Sequence, residues 1–176
     1  MNDSCWNYVG IDWDSGSWLA VAYSEDNEIA IDVFDSIEGL WEKHKAEIDR
    51  AVVDVPIGLC DGDTQSAGIV QKDNKRSRQC DISARGIVGP RSSSVFPAPS
   101  RKAAEEAADG KEYSEVSETN RDEVGKGLTT QAASIADGIA EVRNFLQDQG
   151  KSTPLFEGHP ELCFRAFADD DLQFNK

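Results

Sequence analysis

Residues 51–58 read Ala-Val-Val-Asp-Val-Pro-Ile-Gly, an apolar run that one carboxylate, Asp54, interrupts before Pro56 and Gly58 end it. Runs of β-branched residues without polar alternation are typical of strands that are covered on both faces in a parallel sheet. A carboxylate that is buried without a partner costs several kcal/mol, so an acidic residue here needs a cation or hydrogen bonds. The stretch therefore predicts a central strand that carries Asp54 at its end.

The residues before this strand predict an antiparallel meander. Segments 6–12 and 18–23 have the composition of strands, and the turn-rich residues 14–17 between them predict a hairpin. Large aliphatic residues then recur with a period of two over 29–34, which predicts a third strand beside the second.

Two helices and a final strand complete the pattern. Apolar residues recur at helical spacing over 37–48, after Asp35 and Glu38, which resemble a capping box. The same spacing over 128–146 predicts a second amphipathic helix, and residues 155–157 predict a short last strand.

The predicted order is β-β-β-α-β-α-β, with crossovers that make the later strands parallel. Few α/β folds have a mixed five-stranded sheet in this order, and the RNase H-like fold is the first among them. Residues 60–127 lack strong periodicity and predict a helical and loop insertion that contains a basic segment, or a functional lid. A length of 176 residues fits a single RNase H-like domain over 1–176.

The charge of the chain is strongly acidic, with 33 Asp and Glu against 18 Lys and Arg and a net charge of -15. This surplus opposes general attraction to nucleic acid or anionic membranes and indicates a halophilic protein, whose surface is adapted to high salt. Segment 72–102 departs from the trend, because it holds eight basic residues and only two acidic ones. We expect it to bind phosphate or substrate oxygens, or to form a salt-bridged surface. Its candidate phosphate- and substrate-binding residues are Arg78, Arg85, Arg91, Ser93 and Ser94.

The sequence also indicates the cellular compartment of the protein. No apolar run approaches the roughly 18 residues of a membrane span, and residues 1–4 lead into the first strand without a basic, apolar leader. The four cysteines lack C-x-x-C spacing, which argues against a zinc ribbon or a disulfide framework. We therefore expect a cytoplasmic protein with reduced thiols and no membrane partner.

Three carboxylates stand where predicted strands end: Asp12, Asp54 and Glu157. Parallel neighbours end at the same edge of a sheet, and converging carboxylate oxygens are the ligands that Mg²⁺ or Mn²⁺ requires. A pair of such ions can activate water and stabilise the leaving oxygen in phosphodiester hydrolysis. His159 and Glu161 follow closely and could act as a base or as supporting residues. Any one of these residues could instead be structural, through a turn cap, an arginine pair or an ordinary hydrogen bond.

Several segments together resemble one known family, the domain of unknown function 429 family of predicted RNase H-like nucleases. The matching segments are Val9–Asp12 with Trp18, Val53–Leu59, Arg78 with Asp81 and Arg85, Ser94–Pro97, Gly127–Leu128 with Gln131–Ala132, and Glu157 with His159–Glu161. The resemblance covers nearly the whole chain. It implies an RNase H-like fold in which Asp12, Asp54 and Glu157 match the acidic site. It also implies a C-terminal helix beyond Lys176 that this sequence lacks.

These observations predict a metal-dependent nuclease that uses Mg²⁺ or Mn²⁺ in a two-metal carboxylate site. The substrate would be nucleic acid or a small phosphoester, and a homo-oligomer is left open. The main alternative is a non-catalytic nucleic-acid-binding or assembly module on the same fold. An actin-like phosphotransferase shares the β-β-β-α-β core, but 176 residues are too few for its usual two lobes.

Overall fold

The computed structural model describes residues 6–61, 68–149 and 153–168, and the chain divides into two compact units. Unit 1 takes its described residues from 1–57 and 137–158. Unit 2 takes its described residues from 58–136 and 159–176. Together they form a mixed α/β protein, as the sequence predicts.

The described residues form seven strands and seven α-helices. The strands are β1 (Tyr8–Asp14), β2 (Ser17–Tyr23), β3 (Ile29–Phe34), β4 (Arg50–Val53), β5 (Ile69–Lys72), β6 (Lys75–Arg78) and β7 (Leu155–Glu157). The helices are α1 (Ile37–His44), α2 (Gln79–Val88), α3 (Arg101–Ala108), α4 (Tyr113–Val124), α5 (Thr130–Ser134), α6 (Ala136–Gln149) and α7 (Pro160–Ala168), with a 3₁₀ helix at Gly89–Ser94.

Unit 1 contains a five-stranded mixed sheet in the order β3-β2-β1-β4-β7. Strands β1, β2 and β3 are antiparallel, whereas β1, β4 and β7 are parallel neighbours. Ser15 and Gly16 join β1 to β2 with φ angles of 50° and 96°, which suits the left-handed two-residue turns of hairpins. The predicted meander and the predicted five-stranded mixed sheet are confirmed. The finer assignment to the RNase H-like fold stays a prediction.

One face of this sheet is buried with helices α1 and α6. Trp18 of β2 and Val53 of β4 have no exposed surface, and Leu40 of α1 is equally buried. Trp41 of α1 and Phe145 of α6 meet edge to face, with ring centroids 5.5 Å apart. Successive side chains of a strand point to opposite faces of the sheet, and therefore β1 and β2 bury about every second residue against these helices.

The opposite face of the sheet is open and largely apolar. Its exposed side chains are Tyr8, Leu19, Val21, Tyr23, Ile29, Ile31, Val33 and Phe156, each 40% to 68% exposed. Apolar patches of several hundred Å² are uncommon on monomeric proteins and usually mark a contact surface.

Two helix predictions are wrong in detail. The helix predicted over 37–48 ends at His44, and its N-cap is Ser36 rather than Asp35, because the Ser36 hydroxyl accepts a 3.0 Å hydrogen bond from the Gly39 amide. The single helix predicted over 128–146 is two helices. The Ser134 hydroxyl donates back to the Gln131 carbonyl at 2.9 Å, and such local bonds compete with helix continuation.

Unit 2 contains the β5–β6 hairpin, the 3₁₀ helix and helices α2, α3, α4, α5 and α7. Two small apolar clusters hold these elements together, one around Ala103 and Val116 and the other around Val88 and Val95. Asn120 crosslinks the first region, because its side chain accepts from the Ser100 amide at 2.7 Å and donates to the Lys126 carbonyl at 2.8 Å. Across the described ranges, no helix is long and apolar enough to cross a membrane.

Candidate functional site

The three predicted carboxylates lie at the carboxyl ends of three neighbouring parallel strands. Ile11 of β1 is in register with Val53 of β4, and Val53 is in register with Glu157, the last residue of β7. The Asp54 amide continues this pairing by donating to the Ile11 carbonyl at 3.0 Å. Asp12 and Asp54 therefore each lie one residue after the register pair Ile11 and Val53, on two adjacent strands.

Asp12 and Asp54 project from the same face of the sheet. Residues in register on parallel strands point the same way, and neighbouring strands are about 4.8 Å apart, so the two carboxylates are within reach of one cation. Asp12 is exposed and Asp54 is half-buried. One Asp12 oxygen, Oδ1, accepts a 2.9 Å hydrogen bond from the Trp13 amide.

Glu157 lies at the same edge but one position earlier in the register. Because side chains alternate along a strand, Glu157 projects from the face opposite to that of Asp12 and Asp54. Its Oε2 accepts a 2.9 Å hydrogen bond from the Ile57 amide, and the next amide, Gly158, donates to the Val53 carbonyl at 2.9 Å. Glu157 thus holds the chain that follows Asp54.

The donor set at this edge fits a hard divalent cation. Asp12 and Asp54 offer carboxylate oxygens from one face, which are the ligands that Mg²⁺ and Mn²⁺ prefer. Glu157 has a carboxylate of the same type, but the structure engages it with a backbone amide. The register therefore places the first two of the three predicted ligands on one face, and the third projects from the opposite face.

Four other predicted residues form one cluster in unit 2. His159 Nδ1 lies 3.1 Å from Glu161 Oε2, and His159 Nε2 lies 3.3 Å from the Ser94 carbonyl. Arg91 Nη2 lies 3.9 Å from Glu161 Oε1. Ser93, between them in the 3₁₀ helix, is exposed. The cluster joins the 3₁₀ helix to the start of α7, so its contacts are those of a local crosslink.

The two remaining predicted arginines line a separate pocket in unit 2, which we call the cationic pocket. Its charged lining residues are Arg76, Arg78, Arg85, Lys126 and Asp81. Arg78 is only 6% exposed, and its Nε donates to Asp81 Oδ2 at 3.1 Å while its Nη1 reaches the Gly58 carbonyl at 3.4 Å. Arg85 Nε donates to the Val95 carbonyl at 2.9 Å. Both guanidinium groups, predicted as phosphate ligands, therefore bind protein groups.

Sequence reasoning missed two residues that organise these regions. Lys126 belongs to the cationic pocket but lies 41 positions after Arg85 in a polar stretch without any motif. Glu141 accepts hydrogen bonds from the Trp18 indole and the Ile37 amide, although its place in α6 looks like an ordinary helix position. No sequence signal marks it, because Glu141 lies beside the apolar stripe of Ile139, Val142 and Leu146 and not in it.

A mixed sheet with carboxylates at the ends of its parallel strands defines an α/β protein with an acidic strand-end edge. The chain belongs to the family described as protein of unknown function (DUF429), whose sequence profile matches residues 10–176. No curated protein matches the chain, and no solved structure does. The family resemblance is therefore confirmed, whereas the nuclease activity and the RNase H-like fold stay predictions.

Proposed function

We propose that this protein is a Mg²⁺- or Mn²⁺-dependent phosphodiester hydrolase, a nuclease on an RNase H-like fold. The observation that carries the proposal is the register of β1 and β4, which sets Asp12 and Asp54 side by side on one face of the sheet. Carboxyl ends of parallel strands are the usual ligand sites of α/β sheets. Two aspartates that share such an edge favour a bound cation, because a cation offsets the repulsion between two neighbouring negative charges.

In this proposal each residue has a separate role. Asp12 and Asp54 would hold the metal ions, which supply activated water and neutralise charge on the phosphate. Asp12 is exposed, so a substrate can approach it from solvent. Glu157 holds the backbone at Ile57 through its 2.9 Å hydrogen bond and so positions the segment that carries Asp54. Glu157 is thus a positioning residue in this proposal. Metal binding by Glu157 would require its side chain to leave the Ile57 amide.

The basic segment supports a phosphate-containing substrate. Arg91 keeps 30% of its side chain exposed and Ser93 is exposed, so both can reach phosphate oxygens. His159 and Glu161 would hold Arg91 in place through the contacts of their cluster. The substrate would be nucleic acid or a small phosphoester. A cytoplasmic location, inferred from the cysteine spacing, belongs to the same proposal.

The test is a Mn²⁺ titration by calorimetry in molar KCl, which screens weak surface association. The variants are Asp12→Asn and Asp54→Asn, with Asp26→Asn as a matched control on an exposed turn of the same unit. We expect saturable binding in the wild type and the control, and a loss of roughly tenfold or more in affinity in both site variants. Cleavage of DNA, RNA and an aryl phosphodiester, with Mn²⁺ or with EDTA, would then identify the substrate class. Equal affinity in all four proteins would overturn the metal assignment.

The alternative of a non-catalytic assembly module is favoured by a different observation. The open face of the unit 1 sheet exposes eight large apolar side chains, a surface of the kind that protein contacts cover. In this case the protein would self-associate in molar KCl, as light scattering would show, and EDTA would not change its mass. A monomer at all concentrations would argue against this alternative.

A further inference from the structure

The cationic pocket of unit 2 has a surplus of positive charge around a very small space. Four basic side chains and one carboxylate line it. The cavity measures about 10 Å³, so it accepts one particle of about the size of a water molecule. All lining residues belong to unit 2, whereas Asp12 and Asp54 belong to unit 1, so the pocket is not the proposed hydrolase site.

Arg85, which lines this pocket, carries an unsatisfied donor. Its Nε is fixed by the 2.9 Å hydrogen bond to the Val95 carbonyl. Its Nη2 is buried and has no hydrogen-bond partner among the residues that the structure describes. Buried guanidinium donors are costly when unpaired and are normally matched by an anion or another acceptor.

Lys126 brings a second cationic side chain to the pocket beside Arg85. Its ammonium group donates to the Ser77 hydroxyl at 2.7 Å. Burial lowers the pKa of Lys126, and the positive charges of Arg85 and Lys75 lower it further. The one lining carboxylate, Asp81, is bound by Arg78 in a buried ion pair. The neighbouring positive charges that disfavour the charged form of Lys126 also attract a negative ion.

We propose that the cationic pocket binds one monatomic anion, chloride, between Arg85 and Lys126. A halide is only slightly larger than water, carries the charge that the pocket needs and accepts hydrogen bonds from both side chains. The acidic composition predicts a high-salt setting in which chloride is abundant. Chloride thus acts as a structural ligand of unit 2, because an ion that binds only the folded state stabilises it.

The experiment compares thermal unfolding in KCl, KBr and potassium gluconate at equal potassium concentration. Gluconate screens charge as the halides do but is too large for the pocket. We expect a saturable rise of the wild-type Tm in both halides above its value in gluconate. The rise should fall by at least half in Arg85→Gln and Lys126→Gln. It should persist in the control Lys102→Gln, which removes an exposed charge from the same basic segment.

A second measurement keeps the proposal falsifiable if these variants do not fold. Wild-type crystals grown in KBr should show an anomalous bromide peak between Arg85 and Lys126. Bromide peaks on the surface alone would overturn the proposal, as would an equal halide effect in all variants or no halide effect in the wild type. The Mn²⁺ titration tests the hydrolase proposal in a separate experiment, so the chloride proposal and the hydrolase proposal can fail independently.

Discussion

Glu141 of α6 is expected to be one of the strongest single contributors to the stability of unit 1. Its Oε2 accepts a 3.0 Å hydrogen bond from the indole of Trp18, and its Oε1 accepts a 2.6 Å hydrogen bond from the Ile37 amide. Trp18 is fully buried and Ile37 is 1% exposed, so Glu141→Ala leaves two buried donors without an acceptor.

The magnitude follows from these two donors. Each buried donor that loses its partner costs about 1–3 kcal/mol. The negative charge at the N-terminus of α1 adds about 0.3–1 kcal/mol. We therefore expect Glu141→Ala to lower the free energy of unfolding by roughly 2–7 kcal/mol, a large share of the 5–15 kcal/mol that is typical of folded proteins. Glu141→Gln keeps one acceptor oxygen and should cost less.

The assay is denaturant unfolding in molar KCl, followed by tryptophan fluorescence. Asp148→Ala is the matched control, because it removes an exposed carboxylate from the same helix. A double-mutant cycle of Glu141→Ala with Trp18→Phe should give a coupling free energy of about 1–2 kcal/mol. A loss below about 1 kcal/mol in Glu141→Ala, or strictly additive effects in the cycle, would refute the reasoning.

Three further predictions concern a close contact, a thiol and the open face. Gly158→Ala should destabilise by about 1–3 kcal/mol, since its Cβ would overlap Cγ1 of Val52; the denaturant midpoint of unfolding measures this loss. Burial raises the pKa of the Cys60 thiol, so alkylation at mildly alkaline pH should label the exposed Cys163 first, as peptide mass mapping would show. Ile31→Lys, at a 68% exposed position of edge strand β3, should reduce binding of a hydrophobic dye while changing stability by less than about 0.5 kcal/mol.

Each of these predictions has its own control. Gly58→Ala has nothing within 4 Å of the new Cβ, so a similar loss there would remove the steric explanation for Gly158. Equal labelling rates of Cys60 and Cys163 in the folded protein would contradict the burial of Cys60. Dye binding that Ile31→Lys leaves unchanged would mean that the open face is covered in solution.

Much of the architecture was predictable because local patterns and tertiary structure agree in unit 1. The period-two alternation of β3 and the apolar run of β4 both match the sheet. The positions of Asp12 and Asp54 at the ends of parallel strands also follow from the sequence, because a carboxylate after an apolar run has few stable alternatives.

The insertion was harder to predict, since its elements are short and polar. The β5–β6 hairpin consists mainly of exposed residues, and its only local signal is Asp73-Asn74, whose φ angles of 51° and 58° suit a hairpin turn. The pairing of Arg85 with Lys126 around one pocket depends on how α2 and the chain after α4 pack in unit 2. No spacing rule links residues so far apart in the chain.

The sequence by itself determined the order of the unit 1 elements along the chain and the three acidic strand ends, because hydrophobic periodicity is a local property of the chain. Only the tertiary structure decided which carboxylates share a face. A shift of one residue in strand register moves a side chain to the opposite face, and β7 pairs so that Glu157 lies beside Val53 rather than Asp54. Register is set by packing and hydrogen bonds between distant segments, and therefore Glu157 binds the Ile57 amide from the other side of the sheet.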